Sequence, residues 1–387
     1  MARRAALSAS SGHSTVVQMQ TAASSRRLRS SRAESCVTLG LSTILLAGGC
    51  APNARVFRGD ALVASAGTSV HAMVATAYME SQTVSLALDR IDQHALPLDQ
   101  TYRHFGSGRG VTIYVFDGGV LDTHPDLAGR VRVGYNAFPG EERICNAHGT
   151  AVAGAAAGTT LGVAPQADVV DVKMVECRRM RGSIDAILRS TEWVLTDHAR
   201  HPEQRAVANW SFIADTSGAI LALDSAVKRL NAAGIPVIVS AGNLEMNACH
   251  ISPGNSPGAI VVGASRVRRA SQEPNAPMID NRAPATAYGP CIDVFAPGDS
   301  VLLPSIDSQH LPSQQLWTGT SMAAGYVSGA AALYFEAHPF ATSDSVSQFI
   351  KMSASRGATV DARSPGAGLL YVGTGGNARP VAIASRY

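Results

Sequence analysis

What the chain leaves out narrows its chemistry before any motif is read. No run of 18 or more apolar residues occurs in its 387 residues, so no ordinary membrane-spanning helix is expected. Its six cysteines show no C-x-x-C spacing, which removes the common zinc and dithiol signatures. No G-x-G-x-x-G and no P-loop follows a strand-like run, which sets aside a nucleotide-binding domain. Charged residues make up only 16% and the net charge is +3, much of it in the first 35 residues, so no nucleic acid or other polyanion is implied as a partner. Internal repeats are absent as well. What remains is globular: 46% hydrophobic residues can bury a substantial core, in one large or two ordinary domains.

The first 35 residues are rich in Ala, Ser and Arg and contain no acid before Glu34, a composition that cannot offset the entropy of ordering a core. Arg26, Arg27, Arg29 and Arg32 then precede an apolar run from Cys36 to Ala47, which ends in Ala47-Gly48-Gly49-Cys50. A basic segment, a short apolar segment and small residues read as a secretory signal, with Met19 as an alternative start. The terminal cysteine resembles a bacterial lipoprotein signal, which would place a lipid anchor on Cys50. An organelle transit peptide is the competing reading. Residues 1–50 are thus assigned as leader, 51–85 as linker or short pro-segment, 86–373 as one folded domain and 374–387 as a tail. The expected product is a monomer, secreted or extracytoplasmic, anchored to a membrane if Cys50 is lipidated.

From Leu86 the pattern becomes α/β. Short apolar runs at Val111–Phe116, Asp168–Met174, Ala206–Trp210, Ile235–Ser240, Ala259–Gly263 and Ile292–Phe295 alternate with helix-like stretches at Ser183–His198, Ser217–Ala233 and Ser321–Ala337. That alternation predicts a mainly parallel central sheet with helices on both faces. Ligands of such sheets bind beyond the carboxyl ends of the strands, and Asp117 stands at one such end. His148 opens a second small-residue helix, and Asn243 closes the strand-end turn Ser240-Ala241-Gly242-Asn243. Ser321, in Gly319-Thr320-Ser321-Met322-Ala323, lies at a helix start, where unpaired N–H groups can hold a developing oxyanion. Each residue has a plain structural alternative: strand-end cap, helix cap, turn former, helix cap. Together they supply the nucleophile, base, orienting acid and amide donor that peptide hydrolysis needs.

The order Asp117, His148, Asn243, Ser321 is that of subtilisin, and differs from that of chymotrypsin and of the α/β-hydrolases. With Leu88-Asp89-Arg90-Ile91-Asp92-Gln93, Leu96-Pro97-Leu98-Asp99, Asp117-Gly118-Gly119 and His148-Gly149-Thr150, residues 86 to 372 resemble a subtilisin-like serine protease of the proteinase K and aqualysin-like branch. The resemblance implies the subtilisin-like three-layer fold, protein or peptide substrates and no cofactor for the chemistry. It implies Asp117 as orienting acid, His148 as base, Ser321 as nucleophile and Asn243 as oxyanion donor. It also implies substrate binding at Ser211, Phe212, Ile213, Ala241 and Gly242, and a structural Ca2+ at Pro257, Ala259 and Asp293.

Four body cysteines suggest two disulfides and an oxidising compartment, with buried free thiols as the alternative; the resemblance pairs Cys145 with Cys177 and Cys249 with Cys291. The chain departs from the family pattern at Gly118, at Phe212-Ile213-Ala214 where glycines are usual, and at Ala324-Gly325-Tyr326 after the serine. Bulk at 212–214 predicts a narrow specificity pocket, and Gly325 predicts a looser helix start. These edits, with only about 35 residues before the domain in place of a folded pro-domain, carry the alternative of a catalytically impaired subtilase-fold protein that binds peptides or partners.

Overall fold

The computed structural model describes residues 78–273 and 275–373, together with the strand Val16–Gln18, whose backbone pairs antiparallel with Arg181–Ser183. The rest of the expected leader with Cys50, most of the 51–85 segment and the 374–387 tail lie outside the described residues.

Strands β1 (Val111–Asp117), β2 (Val131–Asn136) and β3 (Asp168–Lys173) form one side of the central sheet. Helix α1 (His148–Ala157) lies between β2 and β3 in the chain. Helix α2 (Ile184–Ala199), strand β4 (Arg205–Trp210), helix α3 (Leu221–Ala232) and strands β5 (Val237–Ser240) and β6 (Ile260–Arg269) continue the alternation. The sheet runs β6-β5-β4-β1-β3-β2, all parallel, and β6 also pairs in parallel with β7 (Val294–Pro297). An antiparallel partner, Met278–Arg282, extends β6 to Arg269, well past the Gly263 expected from its apolar run.

Strand β1 is buried along its whole length, as a central parallel strand covered on both faces must be. Ile113 and Val115 face one core with Val169, Val207 and Ile238, beneath α1 and α4 (Thr320–Ala337). Tyr114 and Phe116 face the other with Val172, Trp210 and Val239, beneath α2 and α3. Helix α3 begins at Leu221 and not at Ser217, because the Asp215 carboxylate accepts the Thr216 and Ser217 N–H groups and the Ser217 hydroxyl in a local turn.

Helix α4 is buried over nearly its whole length, which its small residues on every side permit. A Cβ on Gly325 would sit 2.8 Å from the Val152 carbonyl oxygen, and one on Gly329 2.5 Å from that of Ala156. Gly325 therefore does not loosen the helix start: it lets α4 seat backbone to backbone on α1, the helix that carries His148. Disulfides join Cys145 to Cys177 and Cys249 to Cys291 across 32 and 42 residues. Each constrains the unfolded chain by roughly 4 kcal/mol on loop-closure grounds.

Candidate active site

The carboxyl ends of β1, β4 and β5 and the amino ends of α1 and α4 converge. Asp117 ends β1 fully buried, its Oδ1 accepting the Gly118 N–H at 2.7 Å and its Oδ2 lying 2.7 Å from His148 Nδ1. His148 is the first residue of α1, and its own N–H is capped by Asn146 Oδ1 at 2.9 Å. Gly149 admits the pairing: a Cβ there would lie 2.9 Å from Asp117 Oδ1 and 2.5 Å from the Gly119 oxygen. Trp317 stands edge-on to the imidazole, ring centres 6.2 Å apart. His148 Nε2 is buried and has no hydrogen-bond partner.

Ser321 is the second residue of α4, and its Oγ donates to the Ser211 carbonyl at 3.3 Å. Ser211 Oγ in turn donates to the Ser321 carbonyl at 3.0 Å and accepts from Asn209, whose Oδ1 accepts the Ser328 hydroxyl. This buried polar chain ties the end of β4 to α4. Asn243 Oδ1 accepts the Thr320 N–H at 2.9 Å and the Thr320 hydroxyl at 3.1 Å. Because a backbone N–H demands an acceptor, the amide oxygen must face Thr320, and the amide nitrogen is turned the other way.

Ser211, Phe212, Ile213, Gly242, Asn243 and Ser321 line one small, open pocket. Residues 211–214 leave β4 without forming a strand of their own and are buried. The bulk divides between two sides: Phe212 stacks on Trp210 in the core at 5.4 Å, whereas Ile213 lies against Gly242. Ala241 is fully buried among Ile213, Ile251 and Val261 and does not line the pocket.

The residues expected to hold Ca2+ do not fit a divalent ion as they stand. Asp293 Oδ2 accepts the Val261 N–H at 2.9 Å, and Oδ1 faces the Lys351 ammonium at 3.4 Å. Pro257 is exposed and Ala259 half-buried, so a cation here would have to displace Lys351 and rely on carbonyls and water. Among the described residues no group of three or more His, Cys, Asp or Glu side chains could hold a metal.

Sequence reading passed over Asp171, Lys173 and Arg143. The signal was present as two charges inside the apolar strand β3. Burial pushes the Asp171 carboxyl up to about 7, against the pull of the Val120 N–H and Arg143.

Residues 108–369 match the family model described as the subtilase family. The chain is 38% identical over 272 residues to the extracellular serine proteinase of Thermus sp. (strain Rt41A), covering 70% of this chain and 61% of that protein. It is 34% identical to alkaline serine exoprotease A of Vibrio alginolyticus, over 73% of this chain and 49% of that protein. The chain thus spans about three-fifths of the first relative's length and about half of the second's. A crystal structure of a cold-adapted subtilisin-like serine proteinase superposes with a TM-score of 0.65 at 32% identity, covering 76% of this chain and all of that one. Matched over more than half its length, with the mainly parallel sheet and strand-end site described above, this chain belongs to the subtilase family.

Proposed function

We propose that the chain is an exported serine endopeptidase that cleaves peptide bonds through an acyl-enzyme. The observation that carries the reading is the 2.7 Å contact of Asp117 with His148, beside a pocket that Ser321 and Asn243 share. Asp117 accepts the Nδ1 proton of His148, which leaves the Nε2 lone pair as the base. Ser321 Oγ moves from the Ser211 carbonyl to donate to Nε2 and attacks the substrate carbonyl as its proton passes to the imidazole. The Asn243 side-chain amide and the Ser321 N–H stabilise the oxyanion. His148 then protonates the departing amine, and water repeats the sequence to free the acid and restore Ser321.

A second reading, a subtilase fold that binds peptides without cleaving them, draws on the Ser321 hydroxyl bonding Ser211 in place of His148. Catalytic hydrogen bonds often tighten only with substrate bound, which favours the first reading. A fluorophosphonate probe separates the two. The oxidised chain is expected to label and Ser321→Ala is not; absence of Ser321-dependent labelling ends the peptidase reading. Export follows the Thermus relative, which is named extracellular; no helix of the described residues is long and apolar enough to cross a membrane. Lipidation at Cys50 and a monomeric state belong to the same proposal.

Structural Ca2+ enters this reading only as a test. With Lys351 holding Asp293, a chelator is expected to leave the melting temperature unchanged. In Lys351→Met the freed carboxylate gains affinity for a cation, and added calcium raises it. Loss of stability of the unsubstituted chain on chelation would show that calcium binds despite Lys351.

A further inference from the structure

Strand β3 carries Asp171 and Lys173 into the core, each only 1% exposed. Asp171 pairs in register with Val115, and Lys173 with Asp117. Paired residues of parallel strands point to one face and side chains alternate, so Asp171, Lys173 and Asp117 share the face toward α1. Asp171 has no task in the chemistry above. Its Oδ2 lies 3.6 Å from Arg143 Nη1, its Oδ1 has no hydrogen-bond partner, and the Val120 N–H favours the charged carboxylate. Arg143 Nη1 also donates to the Val120 carbonyl at 2.8 Å, and Nη2 donates to Asp122 Oδ1 at 2.7 Å. The Cys145 N–H donates to the Gly118 carbonyl at 2.8 Å. Residues 143–145 therefore strap down the turn that leaves Asp117, with Asp171 as the buried counter-charge beneath the strap.

We propose, building on the peptidase reading, that Asp171 is a positioning residue: as a carboxylate it draws Arg143 and Val120 inward and fixes the turn that aims Asp117 at His148, and on taking a proton from solvent it releases that hold. The charged groups that face it are Asp117 on β1, Arg143 from the strap and Lys173 on its own strand, itself 3.4 Å from Glu141. Asp122 stands behind Arg143 and His148 behind Asp117. Burial raises the Asp171 carboxyl from 3.8 to about 7; the Val120 N–H and Arg143 oppose the rise, Asp117 adds to it and Lys173 opposes it. A carboxyl raised on folding binds its proton more tightly in the fold than in the unfolded chain. Its contribution to stability is therefore lost as pH rises from the unfolded value toward about 7. Positioning of Asp117 runs the other way and improves over the same interval.

Two readouts test this: the pH titration of the His148 ring signals by NMR in the isotope-labelled full chain carrying Ser321→Ala, and pH profiles of kcat/KM for a peptide substrate. The His148 signals are expected to show two inflections, and the acid limb of log kcat/KM a two-proton slope. Asp171→Asn should remove one inflection, reduce the limb to one proton and lower kcat about tenfold with KM nearly unchanged. Arg143→Gln, at a partly exposed position, should change the profiles the same way and serves if the buried substitution fails to fold. A single inflection in the unsubstituted chain, or two retained in both variants, overturns the proposal. If Ser321-dependent probe labelling is absent, the peptidase reading fails, while the His148 titration still decides whether Asp171 governs the site.

Discussion

Asp117→Asn is expected to lower kcat by about four orders of magnitude while leaving the fold intact, the loss typical of a triad whose histidine is held in the wrong tautomer. The two hydrogen bonds of Asp117 make the direction of the effect definite. Oδ1 accepts the Gly118 N–H and Oδ2 faces His148 Nδ1, so both oxygens serve as acceptors in the wild-type chain. An asparagine has one oxygen and one NH2 group. The Gly118 N–H claims the oxygen, because two donors placed face to face repel. The NH2 group is then left against Nδ1, which must accept and so loses its proton to Nε2. An imidazole protonated at Nε2 cannot take the Ser321 proton. Single-turnover acylation of a peptide ester measures the step directly, and thermal melting controls for folding. Activity within tenfold of the unsubstituted chain would show that Asp117 does not set the tautomer of His148.

The path to that carboxylate was legible in the sequence because each member of the site ends or begins an element with a strong local signature. A β-rich run followed by Asp117-Gly118-Gly119 places an acid at a strand end, and His148 and Ser321 each open a helix made of small residues. Contacts between distant segments were not legible. Nothing local in Arg143 says that it reaches Val120, Asp122 and Asp171, and nothing in Lys351 says that it meets Asp293. Gly325 shows the same limit from another side. Helix propensity marks it as a weakness, whereas its close approach to the Val152 oxygen makes it the contact that seats α4 on α1. The direction of the Ser321 hydroxyl is a further case, since it depends on where the Ser211 carbonyl lies. Only the division of bulk between Phe212 and Ile213 could have been anticipated, because neighbouring residues in extended chain point to opposite sides.

That division yields the second large effect, a preference for alanine over phenylalanine before the scissile bond, with the two bulky residues playing separable parts. Ile213 packs toward Gly242 on the pocket wall, where a Cβ on Gly242 would already come within 3.2 Å of its Cγ2. A phenyl ring entering beside Ser321 must displace it, and overpacking of this kind costs about 2 kcal/mol, roughly thirtyfold in kcat/KM between matched peptides. Ile213→Gly removes the wall and is expected to reverse the preference toward phenylalanine. Phe212 is 2% exposed and stacks on Trp210 in the other core. Phe212→Ala should therefore cost about 3 kcal/mol or more of stability and leave the ratio between the two peptides unchanged. A clear preference of the unsubstituted chain for phenylalanine would mean that Ile213 yields to substrate. A change of ratio in Phe212→Ala would place the wall at 212 and not at 213.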